Sequence, residues 1–300
     1  MSPKCLVCGN GTSSFFQEQG YHFSECSTCG FFFVDPMPTD VELARVYSPE
    51  ANYQSNKVKK DNKKEKNFKY LEIFERLKKY TVSNQKVLDV GASDGEFLYY
   101  ARNNNFQVYG IEPNETTADI AKSHNLNVHH GFLGDSHFPR DSFDVLRLGD
   151  VLEHSNSPQG LINDCKSFLK KDGLLVISIP NMDSFWAKST YYLYKIFGLP
   201  WSVLEPPHHL LYFSKDNLEL FLKKNGFNSL ENWYYRPPTL KYELGNTHLY
   251  GKFRREKGLK NLFVFLFGFS VYSALYFIDF IISPIKQKDY SMICIYQKNA

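Results

Sequence analysis

The sequence predicts an α/β fold: a mainly parallel sheet covered by helices, with a small four-cysteine unit in front and an apolar helix inserted late. Three observations lead there. Between Lys86 and Ile179, short apolar runs alternate with amphipathic stretches of helical length, which is the signature of right-handed βαβ crossovers. Two Cys-x-x-Cys pairs stand near the start, Cys5/Cys8 and Cys26/Cys29. Leu262–Ile278 runs for seventeen residues without a formal charge.

Composition narrows the class. Three hundred residues suit about two domains, and 43% hydrophobic with 22% charged residues exclude disorder and fibres. Thirty-five Lys+Arg against 32 Asp+Glu leave a net charge of +3, too small for a nucleic-acid footprint. The aromatic share, 16%, is high and concentrates after Phe185. No apolar run opens the chain, so a secretory signal is not expected and a cytoplasmic setting is, where paired cysteines bind metal more often than they oxidise.

Residues 1–35 read as one unit. Each Cys-x-x-Cys supplies two thiolates from one turn of backbone, and a seventeen-residue spacer separates the pairs. Gly9 and Gly30 follow the pairs directly, where a zinc knuckle needs positive φ. Four ligands, Cys5, Cys8, Cys26 and Cys29, close a tetrahedron and leave no open position, so the expected zinc is structural. Neither pair opens a helix after a strand, which argues against redox chemistry.

Residues 36–84 read as a polar helical linker. Phe68, Leu71, Phe74 and Leu77 form an expected apolar stripe within the Lys57–Lys79 run. From residue 85 to 300 the alternation begins. Strands are expected at Lys86–Val90, Gln107–Glu112, Val128–His130, Phe143–Leu148, Leu174–Ile179, Leu230–Tyr235 and Ser291–Gln297. Helices are expected at Glu96–Asn104, Glu115–Ser123, Gln159–Leu169 and Lys215–Asn225, the last stopped by Gly226. An aromatic-rich insertion, 236–288, separates the final two strands.

Chemistry enters at Val87–Gly95, a glycine-rich strand-to-helix turn. The dinucleotide fingerprint fails, because Ser93 and Glu96 hold its second and third glycine places. A P-loop fails because no Gly-Lys-Ser/Thr follows. What remains is Asp89-x-Gly91-x-x-x-Gly95. Asp89 and Asp94 would repel a pyrophosphate but not a ligand bearing an ammonium and a sulfonium. Glu112, ending the next strand, can accept both hydroxyls of a ribose.

With these residues in view, 85–180 resembles a class I S-adenosylmethionine-dependent methyltransferase of the bacterial group with a "vLEH" turn. The matching segments are Ser142-Phe143-Asp144-Val145 and Asp150-Val151-Leu152-Glu153-His154. Upstream, the cysteine pairs, FFFVDPMPT, Tyr47 and Tyr53 are similar to the zinc-ribbon leader of many members; downstream, Pro206–Phe227 is similar to their closing segment. The resemblance implies a Rossmann-like seven-stranded sheet whose last strand enters antiparallel. It implies S-adenosylmethionine with its methionine part against Asp89, Gly91, Ala92, Ser93 and Gly95, and its ribose on Glu112. The adenine would lie near Phe132 and Leu133, and Gly149 and Asp150 would border the methyl group. Ser93 departs from the usual middle glycine.

Methyl transfer to a hydroxyl or an acidic carbon requires a base, and histidine suits neutral pH. His209, His208 and His154 are the candidates, with Glu153 as orienting carboxylate. Relatives imply a sugar, glycan or polysaccharide precursor as acceptor, the alternative being a lipid or isoprenoid. A non-catalytic zinc-ribbon binding protein is the rival outside enzymes, and Asp89, Gly95 and Glu112 together argue against it. A nucleic-acid acceptor is not expected, because no Asn/Asp-Pro-Pro-Tyr/Phe follows the fourth strand of the main sheet.

The insertion competes between an interfacial helix, a helix buried over the substrate pocket and a dimer contact. A single crossing is excluded if both ends rejoin one sheet. Lys252, Arg254, Arg255, Lys257, Lys260, Lys286 and Lys288 flank it, and Phe263, Phe265, Tyr272 and Tyr276 suit an interface. Peripheral contact with the cytoplasmic membrane face through 262–285 is therefore expected.

Overall fold

Chain order in the computed structural model begins with three short strands, β1 (Ser13–Glu18), β2 (Tyr21–Glu25) and β3 (Phe32–Val34). Helices α1 (Asp40–Val46) and α2 (Lys63–Leu77) follow. The structure describes residues 3–46, 63–235, 259–286 and 289–299. Tyr47, Tyr53, the Lys57 end of the linker helix, and Lys252, Arg254, Arg255, Lys257 and Lys288 lie outside the described residues.

The alternating region folds as β4 (Lys86–Val90), α3 (Glu96–Asn103), β5 (Gln107–Glu112), α4 (Glu115–Ser123), β6 (Val128–His130) and β7 (Phe143–Gly149). Then come α5 (Pro158–Phe168), β8 (Leu169–Pro180), α6 (Phe185–Phe197), β9 (Leu211–Tyr212) and α7 (Lys215–Lys224). The chain closes with β10 (Phe227–Tyr235), α8 (Leu259–Lys286) and β11 (Ser291–Lys298). Seven strands form one sheet in the order β10-β11-β8-β7-β4-β5-β6. Strands β4 to β8 pair in parallel, and β11 enters antiparallel between β8 and β10. This is the seven-stranded Rossmann-like sheet with an antiparallel last strand that the resemblance implies.

Strand alternation sorts the core onto two faces. Leu88, Leu146, Leu175 and Ile177 join the side that also holds Phe168, Trp186 and the cysteine unit. Val87, Val145, Leu174 and Val176 join Ile73, Phe74, Phe97 and Ala118 on the other. Both faces are dry, as a parallel sheet requires.

The front unit is completed by the body. β1, β2 and β3 continue into β9, with Phe32 opposite Tyr212 and Phe33 opposite Leu211. The Phe32 and Tyr212 rings stack at 4.5 Å, and Phe31 meets Phe213 at 4.8 Å. So short a unit has little core of its own, and the aromatic pairs across this seam supply it.

Three local readings are corrected. In α2 the buried stripe is Tyr70, Ile73, Phe74 and Leu77, whereas Phe68 and Leu71 are exposed. A strict three-residue spacing drifts off a 3.6-residue helix, and alternating steps of three and four do not. Strand β8 begins at Leu169, earlier than its apolar run, because Lys170–Asp172 carry the polar start of the same strand. Helix α6 has no counterpart in the expected elements. The Ser184 hydroxyl caps it by accepting from the Ala187 amide, and Gly198 ends it at φ 64°.

Candidate cofactor and acceptor site

The carboxyl ends of β7, β4, β5 and β6 lie side by side, and the chain reverses direction across the sheet at β4, where ligands bind open α/β sheets. The turn after β4 is held in left-handed backbone: Gly91 at φ 75°, Ser93 at 51° and Gly95 at 82°. Ser93 therefore adopts the conformation of the glycine it stands for, at the cost a side chain carries there. A Cβ on Gly91 would lie 2.6 Å from Val151 Cγ2, and one on Gly95 would lie 2.3 Å from Leu126 Cδ1. Close packing against the protein's own chains makes these glycines necessary.

The amides of Gly91 and Ala92 donate to the Ile111 carbonyl at 2.8 and 2.9 Å, which ties the turn to β5. Glu112, 2% exposed, accepts from the Ser93 amide at 2.8 Å and from the Asn114 amide at 2.9 Å. Its carboxylate is thus aimed by the cofactor turn. The Gly131 amide donates to the Glu112 carbonyl at 3.1 Å, bringing the loop after β6 alongside. Of the two adenine candidates on that loop, Phe132 is 67% exposed while Leu133 is buried in the core.

Asp89 is paired within the protein. Its Oδ1 accepts from Arg147 Nη1 at 2.7 Å, and both side chains are buried. The guanidinium lies 4.4 Å from the Phe97 ring centre and 5.5 Å from that of Tyr70, a favourable cation–π geometry. Burial pushes the Asp89 carboxyl up to about 6, against the pull of Arg147. Among the described residues, Asp89 Oδ2 is buried without a hydrogen-bond partner. An orphaned carboxylate oxygen beside this turn fits the ammonium of S-adenosylmethionine. A Cβ on Gly149 would sit 2.0 Å from Arg147 Nη2, so the glycine that ends β7 makes room for the guanidinium. Asp150, at φ 56°, receives Lys69 Nζ of α2 at 3.2 Å. Arg147 and Lys69 escaped the sequence reading; a charged residue inside the apolar run of β7 was the available signal.

The histidine candidates divide. Carboxylate and ring atoms of Glu153, His154 and His209 lie within 4.8 Å of one another, and the His154 and His209 rings meet edge to face at 4.9 Å. His154 Nδ1 lies 2.6 Å from the His208 backbone carbonyl. A carbonyl can only accept, so Nδ1 carries the proton and Nε2 is the basic nitrogen of the neutral ring. His208 contributes that carbonyl, and its ring is not in the cluster. His209 Nε2 stands 3.9 Å from Glu205 Oε2. The Leu210 amide donates to the Glu153 carbonyl at 2.8 Å, fastening the two segments together. Val151, packed on Gly91, connects this cluster to the cofactor turn.

The four cysteines form a separate centre, their sulfur atoms within 4.8 Å of one another. Cys5 and Cys29 are 3.6 Å apart and Cys8 and Cys26 3.4 Å, close to the roughly 3.8 Å edge of a tetrahedron with 2.3 Å zinc–sulfur bonds. Both knuckles repeat one geometry: the Gly9 and Gly30 amides donate to the Cys5 and Cys26 carbonyls, and both glycines have positive φ. The thiols do not shift together: burial raises those of Cys5 and Cys29, whereas at Cys26 amide donors from Cys29 and Thr28 and the Cys8 and Cys29 thiols outweigh burial and bring it down to about 7. The donor set fits a structural zinc ion.

Known proteins share the domain and the fold. Residues 62–232 match the family described as "Methyltransferase domain". A Coxiella burnetii protein named Ubiquinone biosynthesis O-methyltransferase is 31% identical over 124 residues, covering 39% of this chain and 51% of that protein. The chain spans about half the length of the curated relatives it matches. Among solved structures, the YcgJ protein from Bacillus subtilis aligns with a TM-score of 0.50 at 14% identity, over 77% of this chain and 97% of that one. A SAM dependent methyltransferase from Archaeoglobus fulgidus aligns with a TM-score of 0.47 at 16% identity, over 76% and 94%. The matched family region exceeds half of the chain, and the protein belongs to the methyltransferase-domain family, with the class I S-adenosylmethionine-dependent fold.

Proposed function

We propose that this protein is an S-adenosylmethionine-dependent methyltransferase that methylates a hydroxyl or acidic carbon of a sugar or glycan precursor. One observation supports the methyl-transfer part of this reading, and the sugar acceptor rests on the sequence resemblance. The glycine turn with its aimed Glu112 and the Glu153–His154–His209 cluster share the carboxyl edge of one sheet.

When bound, the cofactor supplies a methyl group on a sulfonium, whose thioether leaves without acid assistance. The protein's part is positioning and proton removal. Glu112 would hold the ribose, and the Gly91–Gly95 backbone and Asp89 would accommodate the methionine end. His154, fixed through Nδ1 on the His208 carbonyl, presents Nε2 toward its neighbours. His209 beside it accepts the acceptor's proton, and Glu153 and Glu205 favour the imidazolium that forms. Zinc at the cysteines takes no part in transfer; it holds the front unit.

A lipid or isoprenoid acceptor is the second reading. It is supported by the name of the Coxiella burnetii relative and by the apolar surface of α8. Incubation with S-adenosylmethionine and a panel of nucleotide sugars and polyprenyl phenols, read by mass spectrometry, separates them. The proposed acceptor gains the mass of one methyl group. His209→Ala should lower turnover about 100-fold or more while leaving S-adenosylhomocysteine affinity unchanged; a fully active variant excludes His209 as the base. The metal-type geometry of the four cysteines supports a cytoplasmic setting.

A further inference from the structure

Helix α8 wears its polarity inside out. Between Leu262 and Ile282 the sole charged residue is Asp279, and it is 4% exposed. Gly268, Tyr272 and Asp279 line the buried side. Tyr272 is fully buried against Trp186 of α6, their rings 6.0 Å apart, and its hydroxyl donates to the Pro200 carbonyl. The opposite side presents Phe263, Leu266, Phe267, Phe277, Phe280 and Ile281 to the outside, with Phe263 71% and Ile281 66% exposed. The apolar surface continues onto α6 through exposed Ile196 and Phe197, the latter 6.1 Å from the Phe267 ring. A surface helix in water carries its charges outward, and apolar patches this continuous mark an interaction surface.

We infer that α8 lies in the plane of an anionic membrane surface, its outer face sunk among the lipids while its inner face stays docked on α6. The connections exclude a crossing. Tyr235 and Ser291 are register partners in β10 and β11, so the insertion leaves and returns at one edge of the sheet. If α8 spanned a bilayer, 236–258 would have to cross back, yet it contains Arg236, Lys241, Glu243 and the Lys252–Lys257 cluster. Charge points to the lipid. Basic residues stand in sequence around both ends of α8, Lys252 to Lys260 at its start and Lys286 and Lys288 at its finish, which suits anionic headgroups. Two copies paired along α8 would set these basic ends against each other in either orientation. The inference holds whether or not the protein transfers methyl groups.

Flotation of the full chain tests it. The wild type should rise with vesicles of phosphatidylglycerol and phosphatidylethanolamine, and less with phosphatidylcholine alone. Phe263→Ser, Phe277→Ser and Ile281→Ser combined should lower the vesicle-bound fraction about tenfold or more, with thermal melting and S-adenosylhomocysteine binding unchanged. A wild type that stays at the bottom with anionic vesicles overturns the inference, and the same protein found as a dimer by light scattering assigns the face to a second copy. A triple variant that floats like the wild type overturns it equally.

Discussion

Arg147 shows how one side chain orders the edge of the site. Its guanidinium neutralises Asp89, covers Phe97 and fills the space that Gly149 leaves open. Removing one partner of a buried pair strands the other charge, so Arg147→Ala should cost about 3–5 kcal/mol, measured by urea unfolding. Arg147→Met, which fills the volume but also strands Asp89, should recover only part of the loss; full recovery would show that packing, not charge, is what Arg147 supplies. Gly149→Ala should destabilise too, because the guanidinium can retreat from the new methyl group only by leaving Asp89. None of this was legible beforehand. The Asp89-x-Gly91-x-x-x-Gly95 spacing pointed to a ligand turn and to Glu112, since spacing encodes backbone shape. The partner of Asp89 lies 58 residues away on a neighbouring strand, a relation that only the sheet order creates.

At the scale of elements, the legible strands were those bounded by a turn. β4, β5 and β6 have the expected bounds, because Gly91, Pro113 and Gly131 follow them directly in the chain. Helix α6 was not legible: its aromatic and β-branched residues favour strand by propensity, and packing against the cysteine unit and α8 overrides that. Nor was β9, two residues long, which exists because β3 needs a partner. This pairing sets an expectation for zinc. Metal analysis should find one zinc per chain, and Cys26→Ser should lose it. Because β9 begins two residues after His209, the variant should lose turnover more than cofactor affinity. A metal-free variant with wild-type turnover would contradict that coupling. Helix α2 is clasped to β10 by Glu231, which accepts from Arg76 and, at 3.0 Å, from Lys79. Burial raises the Glu231 carboxyl, but Lys79 and Arg76 outweigh it and hold it below its ordinary value. A depressed carboxylate contributes stability above its unfolded value and loses it as pH falls. Glu231→Gln should therefore cost about 1–3 kcal/mol at pH 7, and its difference from wild type should shrink below about pH 4. A difference that is constant with pH would assign the effect to packing.

For the whole molecule, one sheet edge gathers the candidate site residues. The cofactor turn, Glu112 and the histidine cluster lie at the carboxyl ends of β4, β5 and β7. Ser291, where the chain returns from α8, pairs with Pro180 at the same edge of β8. A membrane-seated α8 would bring that edge to the lipid surface, where an acceptor carried on a lipid would be met. The cysteine unit supports the His208–His209 segment from the other side through β9. All of these roles depend on the cofactor occupying the turn after β4. Titration calorimetry with S-adenosylhomocysteine tests this most directly. Wild type should bind saturably, with affinity weakened about 10–100-fold in Glu112→Ala by the loss of charge-assisted hydrogen bonds and thermal melting retained. Absence of binding by the folded wild type, or equal affinity in the variant, would contradict it.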